Sequence, residues 1–221
     1  MSDDSFFREV NQEMRQDRAH ALWDRYGAIV IAAAVGVVLA TSAYVAWDYW
    51  TQSRANASGD DYSQALTLAR EGKTEEAQAA LAQLEADGYG AYPVLARLRA
   101  ATLQAEAGDH AAAVAGFDGV AGDRSVPTSI RDMARLRAGL LLVDHGTYAD
   151  VAQRVEALTA DTNQLRHSAR EALALSAWKE SRLADALALF EQITADDFAP
   201  QNIRQRAELM SELIRGSGTS S

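Results

Sequence analysis

Four histidines, His20, His110, His145 and His167, are the side chains of this 221-residue chain best suited to proton transfer or metal ligation near neutral pH. None sits in a pattern that would use it. There is no HExxH and no paired histidine–carboxylate spacing, so the plain reading is four solvated histidines. The nucleophile and phosphate patterns GxSxG, GxxxxGK[ST] and GxGxxG are also missing. Cysteine is absent, which removes disulfides, thiolate metal sites and cysteine nucleophiles together and leaves the redox compartment open. The carboxylates are spread along amphipathic segments as a solvated face. Catalysis needs groups that converge, and this sequence supplies none, so the expectation is a protein that is not an enzyme and takes no cofactor or metal.

The chemistry that remains is contact between surfaces, and the elements that would position such surfaces are legible. An uncharged run, Tyr26 to Trp47, is closed by Arg25 and Asp48. Twenty residues, Ala28 to Trp47, make a helix of about 30 Å, the depth of a hydrocarbon core. Trp23 and Tyr26 mark one end, and Tyr44, Trp47, Tyr49 and Trp50 the other, where amphipathic rings favour a headgroup layer. A cleaved signal peptide and a soluble core helix both fit less well, because the leader is long and mixed in charge and the apolar run is too long. Arg8, Arg15, Arg18 and Arg25 precede the span, and only Arg54 follows within twenty residues, which predicts an inner amino terminus and an outer carboxyl portion.

From Thr51 onward there is room for about one domain, with 17 basic and 24 acidic residues against a whole-chain net charge of −10. No clustered basic surface points to nucleic acid. After a polar stretch with Asn56, Ser58 and Gly59, four segments align on one turn pattern: EGKTEEA at 71–77, AGDHAAA at 107–113, HGTYADV at 145–151 and ESRLADA at 180–186. Gly72, Gly108, Gly146 and Ser181 share one position of this pattern. Small residues recur twelve places before the final Ala or Val (Ala65, Ala101, Gly139, Ala174), and large apolar ones four places after it (Leu81, Phe117, Val155, Phe190) and seven after it (Leu84, Val120, Leu158, Ile193). Small residues let two antiparallel helices approach, and the apolar pair forms the stripe a neighbouring helix covers. Pro93, Pro127 and Pro200 stand near helix starts, where a missing donor costs least. The arrangement resembles the tetratricopeptide pattern of paired helices with a period of about 34 residues.

The expected fold is all-α: one N-terminal transmembrane helix, then a TPR-like helical solenoid of about four helix pairs with a C-terminal capping helix, Gln201 to Arg215, whose Ile203, Ala207, Met210 and Ile214 share a stripe. The expected division is 1–25 cytoplasmic amphipathic leader, 26–48 transmembrane anchor, 49–61 linker, 62–215 repeat domain and 216–221 disordered tail. In the leader, Phe6, Phe7, Val10 and Met14 make a stripe for the inner membrane surface or a partner helix.

A helical solenoid offers a concave face made by the first helix of each repeat. In this register the candidate partner-binding groove is Tyr62, Leu66, Leu95, Leu98, Met133, Leu136, Leu140, Val143, Leu175 and Trp178. Two readings stay open: a groove for extended or partly folded polypeptide, or a core covered by curvature or by the last helix. Arg97, Arg99, Arg131, Arg135, Arg137, Arg166 and Arg170 fall on first helices too, as grips for acidic ligands or as salt-bridge partners.

With its FFREV leader, WDRYG before the span, YVAWDYW at the end of it and a TPR-like array beyond, the sequence resembles the bacterial ancillary SecYEG translocon-subunit family, the YfgM-like inner-membrane TPR proteins. The resemblance implies a cytoplasmic amino terminus, a single inner-membrane span and a periplasmic TPR domain. It also implies association with translocon subunits, periplasmic chaperones and newly exported polypeptides, with no catalytic motif to carry over. The alternative is a periplasmic envelope scaffold for cell-division or polymer-export machinery.

Overall fold

The computed structural model describes residues 3–218, with side chains for 23–216, and every regular element among them is helical. His20 and the leader stripe of Phe6, Phe7, Val10 and Met14 lie outside the described side chains. The chain divides into two compact units, Met1–Asn56 and Ala57–Ser221.

The first unit lies on α1 (Asp3–Arg70). Its apolar run is long and apolar enough to cross a membrane, and none of its most apolar window is buried inside the protein. The hydroxyl of Thr41 donates to the carbonyl of Val37 at 2.8 Å, so the helix satisfies this polar group by itself. Aromatic rings meet cations at both ends: Arg25 lies 5.6 Å from the Tyr26 ring and Arg54 5.2 Å from the Trp50 ring.

Residues 49–61, expected as a linker, are helical throughout. Asn56, Ser58 and Gly59 are weak helix formers; Asn56 accepts from Gln52 one turn before it at 3.0 Å, and contacts within the second unit override the weakness of Ser58 and Gly59. Ser58 is buried and its Oγ accepts the Tyr89 N–H at 2.9 Å. Gly59 lies beneath Tyr92, where an added Cβ would come within 2.8 Å of the phenol oxygen.

The second unit is a row of helix pairs. The last part of α1 pairs with α2 (Thr74–Asp87), and α3 (Tyr92–Glu106) with α4 (His110–Gly122). Next, α5 (Thr128–His145) pairs with α6 (Tyr148–Val155) and its 3₁₀ extension Glu156–Leu158, and α7 (Arg166–Lys179) with α8 (Leu183–Thr194). The row ends in α9 (Gln201–Gly218), which continues past 215, the expected end; of the expected tail, 219–221 lie outside the described residues.

Apart from the turn position, the columns of the repeat pattern (the small residue, the final Ala or Val, and the apolar residues four and seven places after it) are buried in every copy. Each buried leucine, phenylalanine or isoleucine in them contributes about 1.5–3 kcal/mol relative to exposure. In the third copy the small residue is Gly139, and a Cβ there would stand 2.3 Å from Val155 Cγ1. That glycine and the valine paired with it are one packing solution: the partner fills the space alanine would take.

The turns follow the same logic with one departure. Gly72 and Gly108 have φ of 77° and 86°, and Ser181 has φ 60°. After each, the next N–H closes on a carbonyl five residues back, Lys73 to Leu68, Asp109 to Gln104 and Arg182 to Ala177, at 2.8–3.0 Å. Serine therefore adopts the left-handed turn that glycine takes elsewhere, at a cost of about 1 kcal/mol. Gly146 is extended instead, and α6 begins with a capping box in which Thr147 and Asp150 satisfy each other's backbone N–H.

Consecutive helices pack in order along the row, and α5 also meets α7, as α7 meets α9. The second helices α6 and α8 have no comparable contact. First helices thus form the tighter, inner layer of this part of the array.

Candidate functional site

The first-helix layer carries the ten predicted groove residues, and the structure sorts them. Leu95, Met133, Leu140 and Trp178 are exposed at 38%, 38%, 43% and 41%. Tyr62, Leu66, Leu98, Val143 and Leu175 are half-buried, and most of them lean on the core clusters below. Leu136 is buried among Val151, Val155 and Leu173, so it belongs to the core and not to an open groove. The reason is helical phase: Met133, Arg137 and Leu140 share the outward line of α5, whereas Leu136 lies beside Gly139 on the line that faces α6 and α7.

The apolar line extends beyond those ten. Leu209 and Leu213 on α9 are 65% and 49% exposed, opposite the buried Ile203, Ala207 and Ile214. A bidentate pair, Arg206 Nε and Nη2 to the two Glu171 oxygens at 2.6 and 2.9 Å, sets α9 against α7 in this register. Sequence reasoning used only the buried stripe of α9; the i, i+4 leucine pair on its other side was the available signal. Phe198, at 83% exposure in the α8–α9 loop, had no periodic signal at all.

Most first-helix arginines are spent on structure. Arg97 reaches Asp123 at 2.8 Å, Arg135 reaches Asp132 at 2.7 Å, and Arg166 reaches Asp196 at 2.9 Å. Arg170, nearly buried, donates to the Thr159 carbonyl and to Asp161. Lys179 donates to the carbonyls of Val143 and Asp144 at 3.0 and 2.7 Å, closing the open end of α5 from the neighbouring repeat.

Two carboxyls are strongly perturbed. Hydrogen bonds from the Ser125 hydroxyl, from Arg97 and from the Ser125 N–H lower Asp123 to about 2. Asp196 is held well below the usual carboxylate range by Arg166, then by the Phe198 N–H and by His167. His167 itself corrects the expectation of a solvated ring: it is 5% exposed, with Nε2 2.8 Å from Asp196 Oδ2. Its partner lies 29 residues away in the α8–α9 loop, so nothing near His167 in the sequence announces the contact. The rings of His110 and His145 stack with centroids 3.5 Å apart, linking the ends of two successive repeats. Among the described residues, no three histidine, aspartate or glutamate side chains group to hold a metal.

Paired helices in four copies, buried small and large columns, and an inner layer with exposed apolar side chains define an α-helical repeat protein of the interaction class. The chain belongs to the tetratricopeptide repeat-like domain family, whose model matches residues 20–171, from before the apolar run into α7. Comparison with curated proteins and with solved structures gives no match. Domains of this family are typically protein-interaction modules.

Proposed function

We propose that this protein is a noncatalytic, membrane-tethered interaction module, acting as an ancillary translocon subunit that engages SecYEG and periplasmic chaperones or newly exported polypeptides. The observation that carries the interaction role is the line Leu95, Met133, Leu140 and Trp178, exposed on first helices whose other apolar positions are buried or half-buried. A large aromatic, a methionine and leucines in open register suit adaptable contact with varied chains. The apolar run of α1 supports the tether, and confinement beside a channel raises effective concentration so that weak contacts suffice. The arginine asymmetry around that run supports an inner-membrane location with a cytoplasmic amino terminus and a periplasmic array. The YfgM-like order of leader, span and repeats supports the translocon assignment.

The decisive experiment is in-cell photocrosslinking from position 140, position 178 and the span. Translocon subunits and nascent exported chains are the expected adducts, and recovery of division or polymer-export proteins alone would reject the assignment. Protease added to spheroplasts should digest residues beyond 51 while sparing the leader.

A further inference from the structure

Charge is divided between the two helix layers. The first helices α3, α5, α7 and α9 hold eleven arginines and lysines against six acids, whereas the second helices α2, α4, α6 and α8 hold one, Arg154, against eight acids. In a chain of net charge −10 these four helices are together basic.

Within that layer two successive repeats present the same outward line. On α3 it reads Leu95, Arg99, Thr102, Glu106, and on α5 Met133, Arg137, Leu140, Asp144, each member 38 residues from its counterpart. The spacing i, i+4, i+7, i+11 keeps each set on one face. Arg137 Nη1 donates to Thr102 Oγ1 at 3.3 Å, so the two lines lie side by side.

Arg99 and Arg137 differ from most arginines of this layer; Arg131 and Arg204 also lack a carboxylate among the described residues, but they lie off these two lines and donate to the Thr128 hydroxyl and the Asp196 carbonyl at 3.0 and 2.8 Å. Arg97, Arg135, Arg166 and Arg206 meet carboxylates at 2.6–2.9 Å. Among the described residues the exposed Arg137 reaches a hydroxyl and no carboxylate, and Arg99 meets its one carboxylate, Glu106, at a long 3.5 Å. A guanidinium has five N–H donors, so both keep capacity for a carboxylate. Leu95 and Met133 lie one turn before these arginines and Leu140 one turn after. One helical turn of about 5–6 Å is close to the roughly 6.6 Å between alternate side chains of an extended chain.

We infer that the face between α3 and α5 takes an internal polypeptide segment of the form apolar–x–acidic–x–apolar, with Arg99 and Arg137 receiving its carboxylates. This rests on the partner-binding reading of the first-helix layer and names the chemistry of the partner.

The probe is a fluorescent twelve-residue peptide repeating Leu-Ser-Glu-Ser, acetylated and amidated so that side chains are its only carboxylates, titrated by anisotropy onto the full chain in detergent. A second peptide has glutamine for every glutamate, a third lysine. The acidic peptide should bind about tenfold more tightly than the glutamine one, and salt should erode that preference. Arg99→Gln with Arg137→Gln should remove the preference and leave the glutamine peptide's affinity unchanged, whereas Leu140→Ser should weaken both. Equal binding of acidic and glutamine peptides, better binding of the lysine peptide, or a preference appearing only with a free carboxyl terminus overturns the assignment while leaving the groove in place. Binding of none of the peptides, together with no polypeptide adducts from position 140 in cells, overturns the groove reading too. Because the peptides are compared on the unaltered chain, a folding defect in the arginine variant leaves the result readable.

Discussion

Ala28–Trp47 of α1 and the whole of α7 invert the usual relation between polarity and burial. The first is uncharged and none of its apolar window is buried by protein; the second reads RHSAREALALSAWK, and nine of its fourteen residues are buried, His167, Arg170 and Glu171 among them. The difference lies in the surroundings each helix could tolerate. An uncharged helix whose Thr41 hydroxyl is satisfied internally suits a hydrocarbon surrounding. A helix with buried charge needs fixed partners, and α7 finds them for His167, Arg170 and Glu171 in Asp196, Asp161, the Thr159 carbonyl and Arg206, while the buried Ser176 hydroxyl and the Arg170 Nε have none among the described residues. Small residues do the rest: Ala169, Ala172, Ala174 and Ala177 let four neighbouring helices approach.

The strongest blow to that comparison would come from Phe190→Ala, which empties the space against Ala174 and Ala177. A loss of about 3–5 kcal/mol is expected in denaturant unfolding of the detergent-solubilised chain, and a loss below about 1 would mean that close packing does not hold α7 in place. On the other side, Gly36→Arg puts a charge mid-run at an insertion cost of about 2.5–3.5 kcal/mol. Alkaline-carbonate extraction should move the variant into the soluble fraction; full retention would remove the hydrocarbon explanation. Gly139→Ala probes whether backbone proximity is needed beyond α7. Collision with Val155 should cost about 1–3 kcal/mol, with Val155→Ala recovering part of it in the double variant.

Two smaller effects sharpen the polar side. Ser181→Gly relieves the one non-glycine left-handed residue among those described and should raise stability by about 1 kcal/mol. The carboxyls of Asp123 and Asp196 are lowered by folding, so their contribution is complete above the unfolded value of about 3.9. It is lost as pH falls from there through about 2 for Asp123 and lower still for Asp196. Thermal melts should be insensitive to these groups at neutral pH and decline in acid, with a shallower acid decline in Asp196→Asn.

Most of the array was legible because packing repeats. Residues that recur at fixed spacing, such as Ala65, Ala101, Gly139 and Ala174, report the same helix–helix contact four times, and all are buried. The misreadings fall where contacts are singular or cross the period. The helical state of residues 49–61 was hidden because Tyr89 and Tyr92, which lie against Ser58 and Gly59, are about thirty residues on. Leu136 was assigned to the groove because a stripe defined by column does not separate neighbouring lines of one helix; a turn's phase does. Of the first-helix arginines, those with nearby or facing carboxylates proved structural, and the sequence could not single out Arg99 and Arg137, since that depends on which acids stand opposite.

The position of α7, touching α5, α6, α8 and α9, sets the order in which the array breathes. Amide protons in a repeat array exchange through local openings that are cheapest at its ends. With four neighbouring helices to part before its backbone meets water, α7 should hold its deuterium-protected amides longest, and α2 and α9 should release theirs first. The opening unit nearest the carboxyl end is then the very helix that carries Leu209 and Leu213, so ligand engaged there would be read as slowed exchange in α9 before any change reached α7.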